Sequence, residues 1–328
     1  MKNEGVRIVR NACNIEVKDI SKKYTYYTSR KLIFKDKYTK EAVRDVSFEV
    51  KESEILAIVG PNGSGKSTIV KMVSGIIKRD KGTVSIMGSD PYKRCLNYRR
   101  SVGIFMGGKN RLNPDTSLKE YAYLYGTMYN LNKETINERI KSLANMLNLS
   151  EEKLNKSTRN LSLGERCKAE FILTFLNLPI ICFLDEPTIG LDYKSKKSIR
   201  NFLINYVKKY KASIILTSHD MEDIENICTR ILVINKGLNI YYGNTRDIAK
   251  KFDDYIQISF KSRSSNKEIR SDLNNRNIRN DKKNDRLILY TDDKEREDIL
   301  KYIIKTYDVY DINIKNLEFA DMIERIIG

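Results

Sequence analysis

The chain has 328 residues, enough for one large domain and a small one, and its 41% hydrophobic and 31% charged residues are globular values. Five cysteines stand singly without a CxxC pair, and there is one histidine. Those facts exclude a disulfide frame, a zinc cage and any relay between histidines. The net charge of +17 suits nucleic acid, anionic headgroups or phosphorylated ligands, yet acidic residues are interspersed throughout and no long pure Lys/Arg run occurs. A Lys-rich surface is the simpler reading, and no nucleic-acid partner is expected. The apolar run "FILTFLNLPIICFL", Phe171 to Leu184, is broken by Asn177 and Pro179 and is too short to cross a bilayer. The N-terminal stretch has no apolar leader core, so a cytoplasmic chain is expected.

Residues 15–105 alternate strand and helix signals. The basic segment "YYTSRKLIFKDKYTKEAV", Tyr26 to Val43, carries interleaved Phe34 and Tyr38 and reads as a solvated loop. In "EILAIVGPNGSGKSTIVKMVSGI" an apolar strand, Ile55 to Val59, turns through Gly60, Pro61, Asn62, Gly63, Ser64 and Gly65 into a helix opening with Lys66, Ser67 and Thr68. This is a phosphate loop in its required strand–turn–helix context. Glycines let backbone N–H groups close around phosphates, and the helix N-terminus adds its positive dipole end. Lys66 suits the β- and γ-phosphates of ATP, and Ser67 suits Mg²⁺.

Residues 108–165 read as mostly helical, with the tyrosine-rich "LKEYAYLYGTMYNL" taken as a half-buried helix face. In "LSLGERCKAEF", Ser162 and Glu165 make a capping box, which aims a helix N-terminus outward. The buried strand "IICFLDEP" delivers Asp185 and Glu186 at its C-terminal end, where open α/β sheets bind ligands. Asp185 there suits the metal, and Glu186 suits a general base for the attacking water. The single histidine, His219, follows the strand "SIILT". Residues 252–328 read as a small α+β appendage, with 261–286 a solvated helix and loop.

In this order and spacing, "GPNGSGKST", "LSLGER", "DEPTIGLD" and "LTSHDMEDIE" resemble the ATP-binding subunits of ATP-binding cassette (ABC) transporters. The resemblance runs from about residue 15 to about 245 and is nearest the drug, bacteriocin or viologen-export type. It implies an α/β fold: a RecA-like P-loop ATPase core over 1–251 with an inserted helical subdomain at about 108–165, plus the α+β domain 252–328. It also implies that Ser162 and Gly164 reach the γ-phosphate of ATP held by a second subunit. Asp192 matches the loop linking the two sites, Tyr24 the aromatic that stacks on adenine (with Tyr26 and Tyr27 as competitors), and His219 the sensor of the γ-phosphate.

Two departures stand out. Leu163 and Glu165 replace the commonest signature residues, and Gly108 in "GGKNRL" stands where the family has a glutamine that contacts Mg²⁺ and the attacking water. That role is then vacant or taken by Lys109 or Asn110. The resemblance implies ATP and Mg²⁺ as cofactors, a second cassette as partner (a homodimer being simplest), and a separate membrane permease that holds the chain peripherally on the inner face of the membrane. Alternatives are a soluble ABC ATPase acting on ribosome or nucleic acid, and a weakly hydrolysing regulatory cassette.

Overall fold

A computed structural model describes residues 13–30, 34–107 and 112–327. The chain divides into two compact units, the first running to Asn244 and the second from Thr245 to Ile326.

In the first unit, β1 (Cys13–Arg30) and β2 (Phe34–Lys51) form an antiparallel hairpin, β3 (Ile55–Val59) feeds α1 (Lys66–Val73), and β4 (Lys81–Ile86) returns to pair with β1. Then α2 (Leu96–Ser101) leads into β5 (Val102–Met106), followed by α3 (Leu118–Met128), α4 (Lys133–Met146), α5 (Glu151–Leu154) and α6 (Leu163–Phe175). β6 (Ile181–Asp185), α7 (Tyr193–Tyr210), β7 (Ser213–Thr217), α8 (Met221–Ile227), β8 (Arg230–Asn235) and β9 (Leu238–Asn244) complete the unit. The main sheet has the order β5-β6-β7-β3-β8-β9, parallel except for β9. Its inner strands are buried on both faces, which is why they read as unbroken apolar runs rather than alternating ones. The C-terminal ends of β3, β6 and β7 therefore meet at one rim.

The hairpin corrects one expectation. Within the segment 26–43, read as a solvated loop, residues 26–30 and 34–43 continue the two strands: Tyr26 pairs with Tyr38 and Tyr24 with Lys40. The density of Tyr and Thr favours a pleated strand, and the basic composition masked it.

α3 turns a small-residue stripe, Leu118–Ala122–Gly126, toward the core, and its tyrosines flank that stripe. At Gly126 a Cβ would come within 2.5 Å of the Ile136 side chain on α4, so a larger residue there requires Ile136 to move. Behind α6, Phe105, Phe171, Phe175, Phe202 and Tyr206 form a contiguous aromatic column with ring centroids 4.5–6.0 Å apart. It joins β5, α6 and α7, and the Tyr206 hydroxyl is satisfied by donating to the Pro179 carbonyl at 2.9 Å.

The second unit holds α9 (Thr245–Lys251), β10 (Tyr255–Ser262), α10 (Asn266–Asn275), β11 (Arg279–Lys283), β12 (Arg286–Asp292), α11 (Arg296–Thr306), β13 (Val309–Asn316) and α12 (Phe319–Ile327). Its antiparallel sheet, β11-β12-β10-β13, closes a β-α-β-β-α-β unit of ferredoxin-like order. Ile256, Ile258 and Phe260 of β10 pack with Ile269 and Leu273 of α10 and with Ile299 and Ile303 of α11. The segment 261–286 thus supplies core through α10 and an edge strand through β11, where the charge-rich sequence suggested a solvated helix and loop.

Candidate active site

The turn between β3 and α1 is built for close backbone approach. A Cβ at Gly60 would lie 1.9 Å from the Ile234 carbonyl oxygen, and one at Gly65, which has φ +112°, would lie 2.4 Å from that of Ala42. The buried Lys66 extends under the loop, its Nζ donating to the carbonyls of Gly60 at 2.8 Å and Pro61 at 3.1 Å. Burial presses this ammonium below its ordinary pKa, while Glu186 and Asp185 pull it back up. Ser64 is buried with its hydroxyl lacking a hydrogen-bond partner.

A cavity of about 480 Å³ opens over this loop. Asn62, Gly63, Gly65, Lys66, Ser67 and Thr68 form its floor, and Glu186, Ile189 and His219 form one wall. Tyr24, Tyr26, Lys40 and Ala42 of the hairpin form another. Tyr24 and Tyr26 lie two residues apart on one face of β1, so both candidate aromatics reach the cavity. The side chain of Tyr27 lies outside the described residues.

β6 ends in the two carboxylates. Asp185 Oδ1 accepts from Ser67 Oγ at 3.2 Å and Thr217 Oγ1 at 2.6 Å. Glu186 adopts a left-handed backbone, φ +52°, a conformation that costs a non-glycine residue about 1–2 kcal/mol. In this conformation Glu186 Oε1 lies 3.2 Å from His219 Nε2. Burial raises the Glu186 pKa above the usual carboxylate value, while His219 and Lys66 oppose the rise.

The residues present suit a hard cation. Ser67 and Asp185 offer only oxygen, and among the described residues no cluster of three or more His, Cys, Asp or Glu could hold a metal. A cation here would complete its coordination with phosphate and water oxygens.

The α6 terminus stands apart from the cavity. Ser162 accepts from the Glu165 amide and Glu165 returns to the Ser162 amide, closing the capping box. Asp192 caps α7 by accepting from the Ser195 amide at 3.0 Å and the Ser195 hydroxyl at 2.7 Å. Gly164 sits against this cap, where a Cβ would meet Ser195 Oγ at 2.2 Å. None of Ser162, Gly164 and Asp192 lines the chain's own nucleotide cavity. Beside them Leu163, Ile189 and Tyr193 are 62%, 56% and 64% exposed.

Comparison with known proteins decides the family. The family model "ABC transporter" matches residues 43–189. The ABC transporter ATP-binding protein NatA of Bacillus subtilis is 32% identical over 215 residues, which cover 66% of this chain and 86% of that protein. The chain belongs to the ABC transporter ATP-binding family. The energy-coupling factor transporter ATP-binding protein EcfA2 of Clostridium tetani is 34% identical over 66% of this chain and 76% of its own length. A solved ATP-binding subunit of an ABC transporter superposes with a TM-score of 0.61 at 25% identity, covering 79% of this chain and 99% of that chain. The ATP-binding cassette MJ0796, solved as a dimer bound to ADP and Pi, gives 0.60 at 22% identity over 70% and 98%. The cassette is therefore an ATP-hydrolysing transporter subunit with the RecA-like core of its family.

Within one cassette the structure gathers Tyr24, the phosphate loop, Asp185, Glu186 and His219, and does not bring Ser162, Gly164 or Asp192 into the lining of that cavity. Gly108, Lys109 and Asn110 lie outside the described residues. Sequence reasoning missed the groups behind the wall. Thr188 donates to Asp223, which is buried 3.3 Å from Arg200, and Arg200 also meets Glu222 at 2.9 Å. Burial raises the Asp223 carboxyl above its ordinary value, with the Thr188 hydroxyl opposing. The network ties the loop after Glu186 to the helix after His219. A buried charge must find partners, and the available signal was that Asp223 lies four residues before the buried Ile227, on the inward face of α8.

Proposed function

We propose that the cassette powers a separate membrane-spanning permease, of exporter type, by closing head-to-tail with a second copy of itself over two ATP molecules. The carrying observation is the division just described. The cavity holds the hydrolytic groups, whereas the capped α6 terminus and Asp192 lie outside it beside an exposed apolar strip. Two copies related by a twofold axis complete each other's sites.

In this reading the amides of residues 62–68 and Lys66 hold the phosphates, Tyr24 stacks on adenine, and Ser67 and Asp185 hold Mg²⁺, which neutralises phosphate charge. Glu186 takes the proton of the attacking water. Its raised pKa makes it a better base than an exposed glutamate. His219, within reach of Glu186, orients that carboxylate and the γ-phosphate. Ser162 and Gly164 of the second copy approach the γ-phosphate with the positive end of α6.

The permease reading rests on a second groove of about 480 Å³ between β5, α3 and α6, lined by Ile76, Arg94, Arg99, Phe105, Tyr125 and Tyr129. Leu124 and Met128, one turn apart on α3, are exposed beside it. Among the described residues no helix is long and apolar enough to cross a membrane, so transport requires another chain or segment. Purifying the native complex in mild detergent tests this. A multispanning membrane protein in it supports transport, and ribosomes or nucleic acid in its place overturn it.

A further inference from the structure

β7 runs Ser-Ile-Ile-Leu-Thr, fully buried, and ends in Thr217 two residues before His219. Valine fills such a strand position equally well, and a buried hydroxyl is unfavourable unless it is hydrogen-bonded. The Thr217 hydroxyl is bonded twice, and both partners belong to the hydrolytic site. It donates to Asp185 Oδ1 at 2.6 Å and accepts the Glu186 amide at 3.1 Å. The Thr217 carbonyl takes the same amide at 3.1 Å.

We infer that Thr217 is a positioning residue whose hydroxyl fixes both carboxylates at once, an assignment that rests on reading Glu186 as the base and Asp185 as the metal carboxylate. Strand pairing places Asp185 opposite Thr217 through the backbone but does not choose a carboxylate rotamer. The hydroxyl does, because it and Ser67 both bond Oδ1. Its second bond, with the Thr217 carbonyl, pins the amide of Glu186 in the left-handed conformation that carries the side chain to His219. One oxygen thereby couples the cation-binding edge of the site to the proton-accepting edge.

The test compares Thr217→Val, which removes the hydroxyl at constant shape, with Thr217→Ser, which keeps it. Losing a hydrogen bond to a carboxylate predicts a fall in kcat of about 10- to 100-fold in the valine variant. Affinity for a fluorescent ATP analogue in EDTA should stay within about twofold, because the phosphate loop is untouched. The gain in that affinity on adding Mg²⁺ should shrink several-fold, and Thr217→Ser should recover kcat to within about threefold. A valine variant with wild-type kcat and a wild-type Mg²⁺ gain overturns the assignment, as does a serine variant impaired as badly as valine. Should valine not fold, Thr217→Ala against Thr217→Ser decides on the same criteria. Failure of the underlying reading looks different, since Glu186→Gln would then still hydrolyse ATP.

Discussion

Replacing Gly164 by alanine separates what that glycine does within its own chain from what it does for a second copy. The added methyl would lie 2.2 Å from Ser195 Oγ, 3.1 Å from Ser195 Cβ and 3.3 Å from Asp192 Oδ2. Only the hydroxyl contact is prohibitive, and relieving it requires Ser195 to turn away from Asp192, giving up a 2.7 Å hydrogen bond. Lost bond and residual overpacking together come to about 1–3 kcal/mol. In a domain of this size that lowers Tm by about 2–10 °C. Gly164→Ala should therefore melt lower and hydrolyse poorly. Adding Ser195→Ala relieves the overpacking but not the lost hydrogen bond, so it should restore part of the lost Tm, but not the ATPase activity if the helix terminus must approach a γ-phosphate in the second copy. Thermal unfolding and steady-state ATPase assays read the two effects apart. A single variant with wild-type Tm refutes the packing argument, and a double variant with wild-type turnover refutes the need for a bare α6 terminus.

Glu186→Gln should abolish turnover while retaining ATP binding and should accumulate a nucleotide-bound dimer; strictly monomeric sedimentation at micromolar protein with ATP would sink the two-copy site. His219→Ala should lose roughly a hundredfold in kcat with little change in nucleotide affinity, and near-normal hydrolysis would make the histidine structural. Because burial raises the Glu186 pKa, the acid limb of kcat/KM should lie above the ordinary glutamate range, and it should move further up in His219→Ala, since His219 lowers that pKa; a limb that moves down contradicts this. Hydrogen bonds from Arg79, opposed by burial, hold the Asp90 carboxyl below its ordinary value. Its stabilisation is complete above the unfolded pKa and is lost as pH falls through the lower folded one. The Tm gap between wild type and Asp90→Asn should accordingly narrow in acid, and a constant gap down to acid unfolding would refute the link.

The groups that meet at the cavity were legible because each is marked by a local pattern. The phosphate loop needs its glycines and Lys66–Ser67 within a few residues, and the carboxylates need only an apolar strand before them. The capping box at Ser162 was readable for the same reason. What escaped depends on contacts far apart in sequence. Thr217 looks like the end of a β-branched run until β6 lies beside β7, and Asp223 acquires meaning only when α7 brings Arg200 to it. The hairpin was misread because its lysines signal solvent, and in a two-stranded arm solvent and strand are compatible. The tyrosine-rich α3 was legible as a half-buried face, Tyr121, Tyr123 and Tyr129 being partly buried. Helical spacing did not say that Leu118, Ala122 and Gly126 would point furthest inward.

The aromatic column behind α6 sets a hierarchy of timescales. Because the rings of Phe171, Phe175, Phe202 and Tyr206 stack across α6 and α7, amides along the second half of α6 and along α7 should exchange only through openings close to global unfolding. α3 contacts its neighbours through small side chains and has fewer rings to part, so its amides should exchange through smaller, more frequent openings. In the proposed two-copy assembly the slower clock would run under the α6 and α7 surface turned to the second copy, and the faster one under α3 beside the groove. The first surface would then hold its register while the second could yield.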